Sequence, residues 1–306
     1  MKNNLTKNIF KAIEQIRIDN TSGSLELAKK SAEIFTLPIL KTDSPTLVKK
    51  VAYSLIKAQP TMASIFNLVN NLMLNIQENK DQELKHIIQS YCKKFIQDLK
   101  TSDQLISKYT NELIKDDSTV ITHSYSSTIL NSLIYAKKSR KKFSVICTES
   151  RPMMEGVKLA KLLGENDIKV KLIVDSAVFS LINDADIILL GGDAITTKGL
   201  VNKIGTKGIA ITAKYYNTPT FALCSSIKFL PKNYCPKLDH KKNPEEVIID
   251  KSPNVTPINY YFDLTPLKYL TGVITEKGII KSQDIKSKIS HLPIYKDLSG
   301  NPIVNQ

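Results

Sequence analysis

The residues of this sequence that could do chemistry fall in short polar stretches, each following an apolar run. They are HSYSS at 123–127, ESRP at 149–152, the pair after Asp175, GGDAITTKG at 191–199 and SSIK at 225–228. Between them they supply hydroxyls, a histidine, an arginine, acids and a glycine turn. In ILLGGD (188–193) a buried-looking run ends on Gly191 and Gly192 and then on Asp193. Glycines let the backbone come close to a bound molecule, and the carboxylate behind them can accept hydrogen bonds from hydroxyl groups. The same three residues also read as a turn whose aspartate caps the next helix. Just beyond, VNKIGTKG (201–208) offers Lys203 and glycine-flanked amides near a helix start, a set suited to a phosphate. Neither GxGxxG nor GxxxxGK[ST] accompanies it. Arg151 stands between a strand and Pro152 and is suited to fixing an anion, the other reading being a helix-surface role. His123 reads equally as a site residue and as a buried, satisfied histidine.

These stretches need elements that bring them to one place. After residue 117, short β-rich runs (TVIT, FSVICT, KVKLIVD, DIILLG, TFALC and GVIT) alternate with segments long enough to cross over a sheet. Continuous apolar strands separated by helices predict a parallel sheet covered on both faces, and such sheets bind ligands beyond the carboxyl ends of their strands. Before about residue 110 the apolar period is helical. Leu5, Ile9, Ile13 and Ile16 share one face, as do Leu84, Ile87, Ile88, Tyr91, Phe95 and Leu99. Ser44-Pro45 predicts a capped helix start, and Pro60 a boundary. The expected class is α/β: a helical N-terminal domain, 1–112, followed by a doubly wound, mostly parallel Rossmann-like ligand-binding domain, 113–306.

Composition narrows the function class. The formal charge is +14, and three of the 43 basic residues are arginines (Arg17, Arg140, Arg151), leaving 40 lysines. Lysine-rich pairs without aromatic interleaving predict a solvated surface or an anionic ligand rather than specific nucleic-acid readout, which favours the arginine fork. No apolar run approaches the ~18 residues of a membrane span, and the first residues are amphipathic, so a cytoplasmic protein is expected. Cys92, Cys147, Cys224 and Cys235 form no CxxC pair, so neither a disulfide nor a metal site is expected, and no cofactor is implied.

THSYSS, TESRPMMEGVKLAKLL, DSAV, GGDAI with VNKIGTKGIAITAK, the KF pair at 228–229, and FDLTP with ITEKGII together resemble one family. It joins the alpha, beta and delta subunits of translation initiation factor 2B with isomerases acting on methylthioribose-1-phosphate and ribose-1,5-bisphosphate. The resemblance spans roughly residues 117–285. It implies a pocket for a phosphorylated sugar or nucleotide built from His123, Ser124, Ser126, Arg151, Asp193, Asn202, Lys203, Gly205, Thr206 and Lys228. It also implies a homodimer.

In the family's isomerases a cysteine and an aspartate form the catalytic pair. The aspartate carries over to Asp193, whereas the cysteine position holds Ser124. A thiol exchanges protons near neutrality, and a serine hydroxyl without a base does not. Ser22-Gly23-Ser24 stands where the isomerases carry Arg-Gly-Ala, and Ser225 where they often carry a glutamate. The resemblance therefore implies a non-catalytic regulatory subunit that senses a phosphorylated ligand and contacts the alpha subunit of initiation factor 2. The alternative is a sugar-phosphate isomerase with altered chemistry, in which Asp193 is catalytic.

Overall fold

A computed structural model describes residues 2–19, 22–37, 44–232, 234, 236, 238, 242–248 and 253–299; Cys235 lies outside them. The chain divides into two units. One comprises Met1–Thr101, Ile227–Pro236 and Ser287–Gln306, the other Ser102–Ser226 and Lys237–Lys286. The expected boundary at 112–113 falls at the end of a helix that runs from the first unit into the second.

The first unit is helical, with α1 (Lys2–Ile18), α2 (Ser24–Phe35), α3 (Pro45–Ala58), α4 (Ala63–Glu78) and the start of α5 (Leu84–Leu113). Each buries the stripe that its period predicts: Ile9, Ile13 and Ile16 on α1, and Ile87, Ile88, Phe95 and Leu99 on α5. Ser44 caps α3, its hydroxyl accepting from the Leu47 amide at 3.4 Å with Pro45 in the first turn. Pro60 lies between α3 and α4. Two buried carboxamides tie later segments to α4. Asn67 donates to the carbonyls of Ile227 (2.6 Å) and Phe229 (2.8 Å). Asn70 donates to Pro293 and accepts from the Tyr295 amide. Tyr234 stacks on Phe66 with ring centroids 3.6 Å apart.

The second unit runs β1 (Ser118–Thr122), α6 (Ser127–Lys138), β2 (Phe143–Thr148), α7 (Glu155–Gly164), β3 (Lys169–Ile173), α8 (Val178–Leu181), β4 (Ile187–Leu190), β5 (Ala194–Ile195), β6 (Leu200–Lys203), α9 (Thr206–Tyr216), β7 (Thr220–Leu223), β8 (Phe262–Thr265), β9 (Gly272–Thr275), β10 (Gly278–Lys281) and α10 (Ile285–Ser290). Its main sheet has the order β10-β9-β7-β4-β1-β2-β3, parallel except for β10. β4, β7 and β9 are buried along their whole length, and only the edge strands show exposed positions. That pattern is what continuous apolar runs predict of strands covered on both faces. Val120, Val145, Cys147 and Leu189 face α6 and α7, while Ile121, Ile146, Ile188 and Leu190 face α8 and α9. β5, β6 and β8 form a second, antiparallel sheet.

From β1 the chain steps outward through β2 and β3, then returns to the other side of β1 as β4. The order reverses between β1 and β4, and their carboxyl ends lead into His123-Ser124 and Gly191-Gly192-Asp193. A crevice at such a reversal is where open parallel sheets hold ligands.

Among the described residues no helix is long and apolar enough to cross a membrane.

Candidate functional site

His123 is the buried hub of the β1 edge. Its Nδ1 lies 2.6 Å from Thr148 Oγ1 and its Nε2 2.8 Å from the Ile204 carbonyl. A carbonyl only accepts, so Nε2 carries the hydrogen. Burial pushes the imidazole pKa below its ordinary value, against smaller opposing pulls from the Ile204 carbonyl and Asp175. The ring is therefore neutral, and Nδ1 accepts from Thr148. Thr148 Oγ1 is 3.1 Å from Ser150 Oγ, which accepts from the Ser124 amide at 2.7 Å. The proton order runs from Ser124 N–H through Ser150, Thr148 and His123 to Ile204. Sequence reading left open whether His123 is satisfied within the fold; here both ring nitrogens have partners within the chain.

Ser124 and Ser150 both adopt left-handed backbone, with φ of 67° and 65°. Non-glycine residues hold that conformation at a cost, which their shared hydrogen bond offsets. Ser126 caps α6, its hydroxyl accepting from the Ile129 amide at 3.3 Å. A Cβ on Gly191 would come within 3.0 Å of Ser126 Cβ and 3.6 Å of Asn202 Oδ1. The glycine expected to admit a ligand thus also lets the β4 and β1 edges close on each other. The Asp193 amide donates to the Val201 carbonyl at 2.9 Å, fixing its loop to β6.

β6 delivers Asn202 and Lys203 to the same edge. Asn202 Nδ2 donates to Thr206 Oγ1 at 3.0 Å, and that hydroxyl donates to the Lys203 carbonyl at 2.6 Å. Lys203 is buried along its side chain, and its Nζ lies 2.7 Å from Glu155 Oε1 and 4.6 Å from the centre of the Tyr261 ring. Glu155 opens α7, three residues past the end of the ESRP stretch at Pro152. Its Oε2 is buried without a hydrogen-bond partner, as is Thr122 Oγ1 at the end of β1.

The amides around Gly205, expected to cradle a phosphate, are arranged differently. Asp263 Oδ2 accepts from both Gly205 N (2.9 Å) and Lys207 N (3.0 Å), so the chain's own carboxylate caps α9. Burial raises the Asp263 pKa, with the two amides pulling the other way. Arg151 is exposed; its Nη2 donates to the carbonyls of Glu246 and Val247, each at 3.2 Å, and its amide and that of Ser150 are held by Asp175. Glu246 in turn accepts from the Tyr261 hydroxyl at 2.6 Å and from Asn259 at 2.6 Å. Lys228 ends a tight turn in the first unit and is buried. Ser225, in the place of the family's glutamate, is buried, and the neighbouring Ser226 amide donates to Glu276 at 2.9 Å.

Sequence reasoning missed Glu155, Asp263 and Glu246. Glu155 lies inside a quoted motif, but nothing in its neighbourhood announces a partner 48 residues away.

Residues 15–282 match the Initiation factor 2 subunit family. Ribose 1,5-bisphosphate isomerase of Archaeoglobus fulgidus is 33% identical over 89% of each chain. Methylthioribose-1-phosphate isomerase of Thermoanaerobacter sp. is 33% identical over 79% of this chain and 77% of its own. Among solved structures, the Pyrococcus horikoshii translation initiation factor eIF-2B superposes with a TM-score of 0.79 at 29% identity, covering 91% of this chain and 98% of that one. These likenesses correct the expectation of a non-catalytic regulatory subunit contacting initiation factor 2. That reading set three local departures, at Ser124, Ser22-Gly23-Ser24 and Ser225, against the rest of the chain, whereas the likeness to proteins named as sugar-phosphate isomerases extends over most of it.

Proposed function

This chain belongs to the initiation factor 2 subunit family, and on that premise we propose that it is a sugar-phosphate isomerase interconverting aldose and ketose forms of a ribose phosphate. The observation that carries this reading is that two polar atoms are buried without a partner, Thr122 Oγ1 at the carboxyl end of β1 and Glu155 Oε2 at the start of α7. Buried polar groups are almost always paired, and a sugar offers hydroxyls that both donate and accept. Lys203, beside Glu155, supplies a cation for the phosphate.

Isomerisation of a ribose 1-phosphate moves the hydrogen of C2 to C1 and the proton of the C2 hydroxyl to the ring oxygen, which is released from C1 as the ring opens; the phosphate stays on the C1 oxygen and C2 becomes the carbonyl. In our reading Asp193 moves the carbon-bound proton. Ser124, fixed by its amide to Ser150, donates a hydrogen bond to the sugar from the position of the family's thiol. His123 takes no proton; it holds the β1 edge in register with Ile204. When the phosphate arrives it competes with Glu155 for Lys203.

The protein is read as cytoplasmic and as a homodimer formed through the second unit. Phe179 (43% exposed), Ile211 (39%) and Tyr215 (78%) support the dimer. They share a face, because the Phe179 ring lies against Gly208 one turn before Ile211. An apolar patch of this kind on a folded chain marks an interaction surface.

Incubation of the purified chain with ribose 1,5-bisphosphate, followed by carbon NMR, should show a ketose carbonyl appearing, and Asp193→Asn should abolish it. Absence of conversion of both ribose 1,5-bisphosphate and methylthioribose-1-phosphate would overturn the reading.

A further inference from the structure

At the opposite end of the main sheet from Ser124 and Asp193, a groove of about 680 Å³ opens beside the amino ends of β7 and β9. Lys214 from α9, Lys268 from the turn before β9, Lys281 from the end of β10 and Lys286 from α10 line it, and no carboxylate does. Among the described residues none of these four lysines is in an ion pair. Four like charges around one concavity repel one another and raise the local concentration of anions. The carboxyl end of α9, which would oppose an anion, is already closed: the Asn217 amide donates to the Ala213 and Lys214 carbonyls, and the Thr218 amide to Ala213. The walls are tied by the Thr220 amide donating to Thr271 Oγ1 at 3.0 Å and by Ser282 Oγ donating to the Leu270 carbonyl. Lys268 Nζ lies 5.0 Å over the Tyr269 ring, which orients one ammonium.

We propose that this groove is a second anion site, taking a small polyphosphorylated molecule of the nucleoside triphosphate or tripolyphosphate class. The volume falls within the roughly 300–1,000 Å³ of small-molecule pockets. Lysines alone, without an arginine fork, are point charges suited to a string of phosphates rather than to reading bases. The site does not depend on the isomerase reading and shares no residue with it.

Calorimetric titration of the full chain with inorganic tripolyphosphate tests it, with a Lys268→Glu/Lys281→Glu double variant compared with a control of equal charge, Lys137→Glu/Lys138→Glu, on the surface of α6. One anion should bind per chain. The groove variant should weaken binding about tenfold or more, while the control and Asp193→Asn should leave it within about twofold. Equal losses in groove and control variants would show a response to net charge only and overturn the proposal. So would a single-stranded oligonucleotide that binds more tightly than tripolyphosphate and is lost in the groove variant, since that would make the face a nucleic-acid surface.

Discussion

Lys203 Nζ sits 2.7 Å from Glu155 Oε1, and the second oxygen of that carboxylate is buried with no partner. The buried lysine that our reading assigns to a phosphate is thus neutralised by an acid that is only half satisfied.

Glu155→Gln should destabilise the ligand-free protein by about 1–3 kcal/mol, because Lys203 is left buried without a counter-charge. The same variant should gain more in melting temperature from ribose 1,5-bisphosphate than the unmodified protein does, since the phosphate no longer displaces a carboxylate. Paired melts with and without ligand read both effects, and a ligand shift smaller than that of the unmodified protein counts against competition at Lys203.

Asp193→Asn should lower turnover by about 10²–10⁴, the usual loss for a general acid/base group. Ser124→Cys should raise it, because a thiol exchanges protons nearer neutrality than a hydroxyl. Initial rates on ribose 1,5-bisphosphate measure both; an unchanged rate in Asp193→Asn sinks the assignment.

His123 makes stability depend on pH with a definite sign. Its folded pKa is lowered, chiefly by burial, below the unfolded value of about 6.5. The neutral ring therefore contributes fully above that value, and the contribution is lost as pH falls from about 6.5 toward the folded pKa. Urea midpoints should drop across this window, and His123→Gln should flatten the drop. Parallel curves for the two proteins would remove His123 as the cause.

Gly205 has φ of 104°, and a Cβ there would meet His123 Nε2 at 3.1 Å. Gly205→Ala should cost about 1–3 kcal/mol in stability and disturb the Ile204 contact, lowering turnover beyond the loss of folded protein. Circular dichroism melts alongside rates separate the two.

All six apolar runs are strands, and the reversal between β1 and β4 brings HSYSS and GGD to the same edge of the sheet, so the placement of these stretches was legible in the sequence. The antiparallel sheet was not. β5 has two residues, too few to show alternation, and LVNK, which is β6, lies inside a stretch read as a crossover. Pairings at the site were equally hidden. Asp263 caps Gly205 across 58 residues, and no local period encodes that contact. Cap and turn chemistry is local and could be read, as at Ser44-Pro45; ion pairs and carboxylate caps brought together by topology could not.

The carboxamides of Asn67 and Asn70 have consequences during synthesis. Both belong to α4, made in the first third of the chain, yet their partners lie 160 to 225 residues downstream. A nascent chain that has released α1 to α4 holds two buried-to-be carboxamides whose downstream partners are not yet made. Domains otherwise tend to fold as they emerge, N-terminal part first. Here the partners that complete the α4 face are among the last residues made, so until then that face is the surface a chaperone would meet. A stalled chain ending before Pro293 should keep that face open to protease even though every helix of α1 to α4 is already outside the tunnel.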